Sequence, residues 1–420
     1  MQAAHPGHAG AAAATRPAGL EIADILRLHL DEARARLALT PAQLGVVQHL
    51  ITCRPAALGG HLETCDHCDF SRPAYNSCRD RHCPKCQAIR QAQWVALRLT
   101  RILPVPHYHV VFTVPGHLRA LIKANPGAHY EVLFRAASET LAEFAKDPKW
   151  LGAQIGVTAI LHTWTRELQF HPHVHCVVTG GGLSADGTRW VQSRGGARFL
   201  FPVKALAKVF RGKVLEALRE LHLAARSSAN LADDTRFVRF IDRLYRMRWV
   251  AYAKRPFSGT SHVFSYLGRY THRVAISNQR LVSMNEDGVR FATKDGRFAT
   301  LAPLEFIRRF LDHILPSHFV KIRHYGLYAS SNVKGRLAMA RALLPPETSS
   351  PGPEAPKSPG PAPTPSEQTA SLLTSLFGAD FLRCPACGLG TLKRTMNIPR
   401  ALKRTMNIPR ARWPPSQGPP

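Results

Sequence analysis

Residues 156–184 read GVTAILHTWTRELQFHPHVHCVVTGGGLS, and the pattern in this stretch decides the fold. Its two halves are rich in β-branched and aromatic residues and flank a polar junction, which predicts two strands joined by a short turn, the second ended by TGGGLS. Successive side chains of a strand point to opposite faces. His171, His173 and His175 therefore project together, while Pro172, Val174 and Cys176 face the other way. Crowded imidazoles repel one another when protonated and cost free energy when buried unpaired. A divalent cation removes that conflict, because neutral imidazole is a good transition-metal ligand and a site with few protein ligands keeps positions open for substrate oxygens. A single histidine here would read as a satisfied core residue; three on alternate positions read as a metal site, catalytic or structural.

Outward from this hairpin the periodicity changes repeatedly. Apolar residues at helical spacing predict helices over 20–39, 92–103, 131–145, 203–225 and 235–252, with a further short helix inside 257–275. PHYHVVFTVP (106–115) is β-branched and bounded by prolines, as a strand is. Residues 280–302 alternate around two Asp-Gly turns and predict a small antiparallel unit. Residues 1–18 are rich in Ala, Gly, His and Pro and are expected to be disordered. From 345 to 368 there are nine prolines in 24 residues, the composition of an extended linker. Beyond it CPACG (384–388) precedes an exact tandem duplication, LKRTMNIPRA at 392–401 and again at 402–411, too short for a solenoid and read as a basic tail.

The 420-residue chain is 45% hydrophobic, enough for a packed core, so a disordered protein is excluded. Lys and Arg number 56 against 28 Asp and Glu, a formal net charge of +28, which implies a polyanionic partner. No apolar run is long enough to span a bilayer, and the first 20 residues lack a charged head followed by a strongly apolar stretch; a cytoplasmic protein without a membrane partner is expected. In a reducing compartment clustered cysteines bind metal more readily than they form disulfides.

Six of the nine cysteines lie between Cys53 and Cys86. Cys65-x2-Cys68 and Cys83-x2-Cys86 each have the spacing that bends around a tetrahedral ion, so these four are the expected ligands of one structural Zn²⁺. Cys78 and His82 lie between and beside them, able to replace a ligand or to help build a second site; Cys53, His61 and His67 are less constrained. Arg72, Arg79, Arg81 and Lys85 give this region the charge to grip a phosphate backbone.

FSYLGRYTHRVAISN (264–278) places Tyr266 and Tyr270 four apart, on one face of a helix. Arg269, His272 and Arg273 flank them as phosphate clamps would, and Gly268 permits close approach. A phenolate is a competent nucleophile toward phosphorus once a metal and nearby cations favour it over the phenol.

With these residues assembled, the chain resembles the HUH endonuclease superfamily, named for His, a hydrophobic residue, His. More closely it resembles the two-tyrosine rolling-circle transposases of bacterial insertion sequences, the insertion-sequence ninety-one type. The matching stretches are YNSCRDRHCPKCQ, LHTWTRELQFHPHVHCVVTGGGLS, YLGRYTHRVAISN, EFIRRFLDHILP and KIRHYG, in family order within residues 20–344. The resemblance implies that His173 and His175 are the catalytic metal pair for Mg²⁺ or Mn²⁺ and that Tyr266 and Tyr270 are the nucleophiles, with Arg269 and Arg273 on DNA. His171 is optional, and the third metal ligand stays open among His162, Glu167, Gln169 and His272. It further implies an α+β fold whose antiparallel central sheet is flanked by helices and preceded by a small zinc-binding domain. The expected domains are a zinc-binding, DNA-binding domain over 19–104, a catalytic domain over 105–344, a linker over 345–380 and a basic tail over 381–420. The implied substrate is single-stranded DNA, at transposon ends and target, cut through a 5′-phosphotyrosine without a nucleotide cofactor. A non-catalytic zinc-dependent regulator, and a plasmid replication initiator or relaxase with the same nicking step, are the competing expectations.

Overall fold

A computed structural model describes residues 19–193, 200–229, 235–254, 275–345 and 383–400, with the single positions 257, 263 and 374. The expectations on the first 18 residues, the proline-rich linker, the second decapeptide copy and most of the helix within 257–275 lie outside the described residues. Tyr266, Arg269, Tyr270 and Arg273 are among them.

The chain divides into two compact units. Among the described residues the smaller joins Thr52–Arg79 to the residues from 383 on, and the larger comprises Pro17–Ile51 and Asp80–Phe381. This differs from a contiguous 19–104 domain with a separate tail over 381–420. The reason is backbone pairing. In the smaller unit β1 (Gly60–Cys65) and β2 (Ser71–Tyr75) form an antiparallel hairpin, and the other edge of β1 is taken by β13 (Leu392–Ile398), the first copy of the decapeptide. The β1–β13 register runs from Gly60↔Ile398 to Cys65↔Leu392, with an irregularity between Leu62 and Glu63. Across the hairpin Arg72 is paired with Glu63 at 2.8 Å.

The larger unit opens with α1 (Ile22–Arg36) and α2 (Pro41–Ile51), the second started by a reciprocal cap. The Gln43 N–H is donated to Thr40 Oγ1 at 3.2 Å and the Thr40 N–H to Gln43 Oε1 at 2.9 Å. After α3 (Ala88–Leu99) comes β3 (His107–Thr113), then α4 (Arg119–Ala124) and α5 (Pro126–Lys146). The hairpin quoted above follows as β4 (Gly156–Trp164) and β5 (Phe170–Thr179), as expected. Thr165 shapes its turn: its Oγ1 accepts the N–H groups of Glu167 and Gln169, each at 3.2 Å. The glycines of TGGGLS lead into β6 (Gly181–Leu183), which pairs with β7 (Trp190–Gln192); a Cβ on Gly182 would lie 2.6 Å from the Gln154 carbonyl oxygen.

α6 (Val203–Ala229) and α7 (Thr235–Arg246) follow, but the helix predicted over 235–252 stops early. Trp249 donates its indole N–H to the Leu244 carbonyl at 2.9 Å, and residues 250–254 become β8 (Val250–Lys254) on the free edge of β3. Tertiary pairing overrides the helical pattern there, and the run of Val250 and Tyr252 tolerates it. The meander predicted over 280–302 is present as β9 (Leu281–Asn285), β10 (Gly288–Ala292) and β11 (Phe298–Leu301), after which come α8 (Pro303–Leu311), β12 (Ile322–Gly326) and α9 (Arg336–Ala342).

The central sheet has the order β12-β4-β5-β3-β8, every pair antiparallel. One face carries Tyr108, Val110, Phe112, Val157, Ala159, Leu161, Val174, Cys176 and Val178, all buried in one core with the apolar stripes of α5 and α6. Burying that face fixes the register, and the register in turn delivers the alternate residues, the histidines of β5, to the opposite face. Among the described residues no helix is long and apolar enough to cross a membrane.

Candidate active site

β5 is the middle strand of the five, so the histidine face has neighbours on both sides. His162 of β4 is paired directly with His173, and one ring nitrogen from each of His162, His173 and His175 lies within 4.8 Å of the other two. His162 had been one of four open possibilities for the third ligand. Glu167 and Gln169 instead lie exposed in the β4–β5 turn, and His272 is outside the described residues. His171 is not part of the cluster; its Nδ1 lies 3.4 Å from an Arg119 guanidinium nitrogen.

Two of the three rings are held by their Nδ1 atoms. His173 donates its Nδ1–H to the His171 carbonyl at 2.6 Å. The Nδ1 of His175 shares a 2.7 Å hydrogen bond with Nε2 of His109, a β3 residue only 4% exposed whose ring stacks parallel to it. Were His175 to bind an ion through Nε2, it would donate Nδ1–H in that bond, with His109 as acceptor. With Nδ1 so engaged in both rings, Nε2 would be the atom offered to an ion, the arrangement that orients metal-ligating histidines generally.

Burial keeps these rings neutral. It lowers His173 to about 4 and, together with the repulsion of His173 and His109, holds His175 well below the usual histidine range. His109 falls to about 3 through burial, helped by Lys254 and His173. Neutral imidazoles with two fixed tautomers and converging nitrogens fit a divalent transition ion. Not every buried histidine has this character. His313 is consumed structurally, with Thr163 Oγ1 at 3.2 Å from Nδ1 and the Leu168 carbonyl at 3.2 Å from Nε2. His107 shares a 2.7 Å bond with the Tyr328 hydroxyl.

Cations surround the cluster. Lys254 of β8 is exposed and pairs in register with His109. Lys321 is buried, stands over the Trp164 ring at 5.0 Å, and is pushed down to about 7 by burial and by Arg81. Trp164 in turn stacks on His162, ring centroids 4.7 Å apart.

The cysteines are grouped differently from the expected set Cys65, Cys68, Cys83 and Cys86. In the smaller unit Cys65 and Cys68 meet Cys384 and Cys387, their sulfurs within 4.8 Å of one another. Cys83 and Cys86 are buried residues of the larger unit. The repeated Cys-x2-Cys spacing led to the expectation that Cys65 and Cys68 meet Cys83 and Cys86; the pairing of β13 with β1, which brings Cys384 and Cys387 to them instead, leaves no trace in local spacing. His82 is not a free ligand either: Asp80 Oδ1 lies 2.9 Å from its Nδ1, and its Nε2 accepts the Leu315 N–H at 3.2 Å.

An antiparallel α+β sheet that presents a His-hydrophobic-His strand, in a chain that also carries paired-cysteine half-sites, is an HUH-like architecture. Residues 156–335 match the family model described as "Putative transposase", and residues 25–114 the one described as "Transposase zinc-binding domain". The putative transposase y4qJ of Sinorhizobium fredii is 42% identical over 386 residues, covering 89% of this chain and 94% of the relative. The transposase for insertion sequence element IS801 of Pseudomonas savastanoi pv. phaseolicola is 29% identical over 362 residues, covering 83% of each. No solved structure matches. The chain belongs to this family of insertion-sequence transposases, DNA-processing enzymes with a zinc-binding domain.

Proposed function

We propose that the protein nicks and rejoins single-stranded DNA during rolling-circle-type transposition, using Tyr266 and Tyr270 as nucleophiles beside a divalent cation held by His162, His173 and His175. The observation that carries this reading is the gathering of three imidazoles, one ligand nitrogen of each within 4.8 Å of the others, two of them oriented by hydrogen bonds at Nδ1.

The bound cation would act as a Lewis acid on the non-bridging oxygens of one phosphodiester. Three nitrogen donors suit Mn²⁺ or another transition ion better than Mg²⁺, which prefers oxygen ligands. The phenol oxygen of one tyrosine forms a bond to phosphorus, the bond from phosphorus to the 3′ oxygen breaks, and the phenol proton ends on that oxygen. A 5′-phosphotyrosine and a free 3′-hydroxyl result. The ester energy is retained in the new linkage, so no nucleotide cofactor is needed, and attack by a 3′-hydroxyl on the phosphotyrosine reverses the step to join strands. The second tyrosine serves the other end or the target. Arg269, Arg273 and the exposed Lys254 would hold flanking phosphates, and the +28 net charge favours the polyanion over the whole chain.

The test is incubation of the full chain with single-stranded element ends and Mn²⁺, followed by denaturation and mass spectrometry of nucleotide-linked peptides. Adducts are expected at Tyr266 or Tyr270, and lost on chelation and in the Tyr266→Phe/Tyr270→Phe double variant. An adduct that survives in the double variant removes the nucleophile assignment; no adduct from the wild type favours a non-catalytic regulator.

A further inference from the structure

We propose that one Zn²⁺ bound by Cys65, Cys68, Cys384 and Cys387 fastens the C-terminal strand to β1, making the segment beyond the proline-rich linker half of this metal site. The family match to a zinc-binding domain ends at residue 114, so Cys384 and Cys387 lie outside it.

The sulfur geometry is the first support. Cys65 Sγ lies 3.8 Å from Cys387 Sγ, and Cys68 Sγ 3.7 Å from Cys384 Sγ. Zn–S bonds of about 2.3 Å at tetrahedral angles put neighbouring sulfurs roughly 3.8 Å apart, whereas a disulfide needs about 2.05 Å. Backbone donors point at the same sulfurs: the His67 N–H at Cys65 Sγ and the Gly390 N–H at Cys387 Sγ, both 3.3 Å.

The polypeptide around the site is shaped for this closure. A Cβ on Gly390 would fall inside contact distance of Cys65 Sγ and 2.6 Å from His67 Cβ, so only glycine lets the two half-sites meet. Thr391 donates its N–H to Asp66 Oδ1 at 2.7 Å, and Lys393 pairs with Asp66 at 3.2 Å. The ladder Cys65↔Leu392 to Gly60↔Ile398 then follows directly from the sulfur cluster. Joining half-sites 316 residues apart is where a metal clip gains most, because it closes a long loop of the unfolded chain.

The same anchor gives the first decapeptide copy its place beside β1. Leu392 follows Cys387 by five residues and pairs with Cys65; its counterpart Leu402 follows by fifteen. With Cys387 on the metal, the first copy is delivered to β1 in register. Removing ten residues of the duplication leaves the same sequence whichever copy is deleted, and that chain retains both the site and the strand.

Zinc content of the full chain, measured by elemental mass spectrometry per polypeptide, tests this. Cys384→Ser/Cys387→Ser and Cys65→Ser/Cys68→Ser should each lose one zinc relative to wild type. The quadruple variant should lose no more than either pair, because both halves hold one ion. Deletion of one decapeptide copy should lose none. Cys387→His, which keeps a fourth ligand, should retain the zinc and rule out a mere folding defect. Limited proteolysis should release the segment after residue 382 from the Cys384→Ser/Cys387→Ser variant but not from wild type. Unchanged zinc in that variant, or a quadruple variant that loses twice as much as each double, would overturn the shared site.

Discussion

Replacing His109 with alanine removes the side chain that orients a proposed metal ligand without touching a ligand itself. His173 is oriented by a backbone carbonyl, which no substitution deletes, whereas His175 depends on the His109 ring at 2.7 Å. Partners of this kind are worth about 10–100-fold in metal affinity, or about 1.4–2.7 kcal/mol. Because His109 is 4% exposed, water does not readily replace the lost acceptor, and the upper half of that range is expected. The assay is calorimetric titration of the full chain with Mn²⁺, alongside thermal unfolding of the metal-free protein. His109→Gln, whose side-chain oxygen accepts the same hydrogen bond, should recover most of the affinity. Mn²⁺ binding within twofold of wild type by a folded His109→Ala protein would refute the argument. So would a glutamine variant no better than alanine, since a merely space-filling role predicts no rescue by hydrogen-bond chemistry.

Tyr328→Phe should destabilise the larger unit by about 1–3 kcal/mol in urea unfolding, because the hydroxyl that bonds His107 at 2.7 Å and accepts the Leu103 N–H at 3.2 Å is fully enclosed. Acid should weaken the fold through His107, which burial lowers to about 4 against about 6.5 in the unfolded chain. The unfolded state binds the extra proton first, so this stability is complete above pH 6.5 and is lost as the pH falls toward 4, by about 3 kcal/mol. The urea midpoint followed from pH 7 to 4 should fall, and His107→Gln should flatten part of the slope; an unchanged slope in that variant would contradict the assignment.

The strands β3, β4 and β5, each with one face in the main core, were legible. Alternation in HPHVHC separates the histidine rings from Val174 and Cys176 without any knowledge of neighbours. What crosses between strands was not legible. Choosing His162 over Glu167 requires the β4–β5 register, including the irregularity between His162 and Trp164 that shifts which residue faces His173. The Cys384 half-site was visible as a motif, yet its partner is set by a pairing 316 residues away. α2 was missed although Thr40-Pro41-Ala42-Gln43 is a readable start signal, a proline in the first turn behind a Thr/Gln capping box. The overlong helix across Trp249 failed for the opposite reason: a good local pattern lost to an open sheet edge.

The smaller unit is interleaved from two distant pieces of chain, and this constrains its synthesis. When residues 52–79 leave the ribosome, β1 has β2 on one side and bare backbone donors and acceptors on the other, the kind of edge that recruits foreign strands. Its native cover emerges only after residues 80–381 have been translated. A message interrupted between residue 345 and Cys384 therefore yields a polypeptide that has every strand of the central sheet but whose first hairpin stays unsealed, a product suited to clearance or clumping.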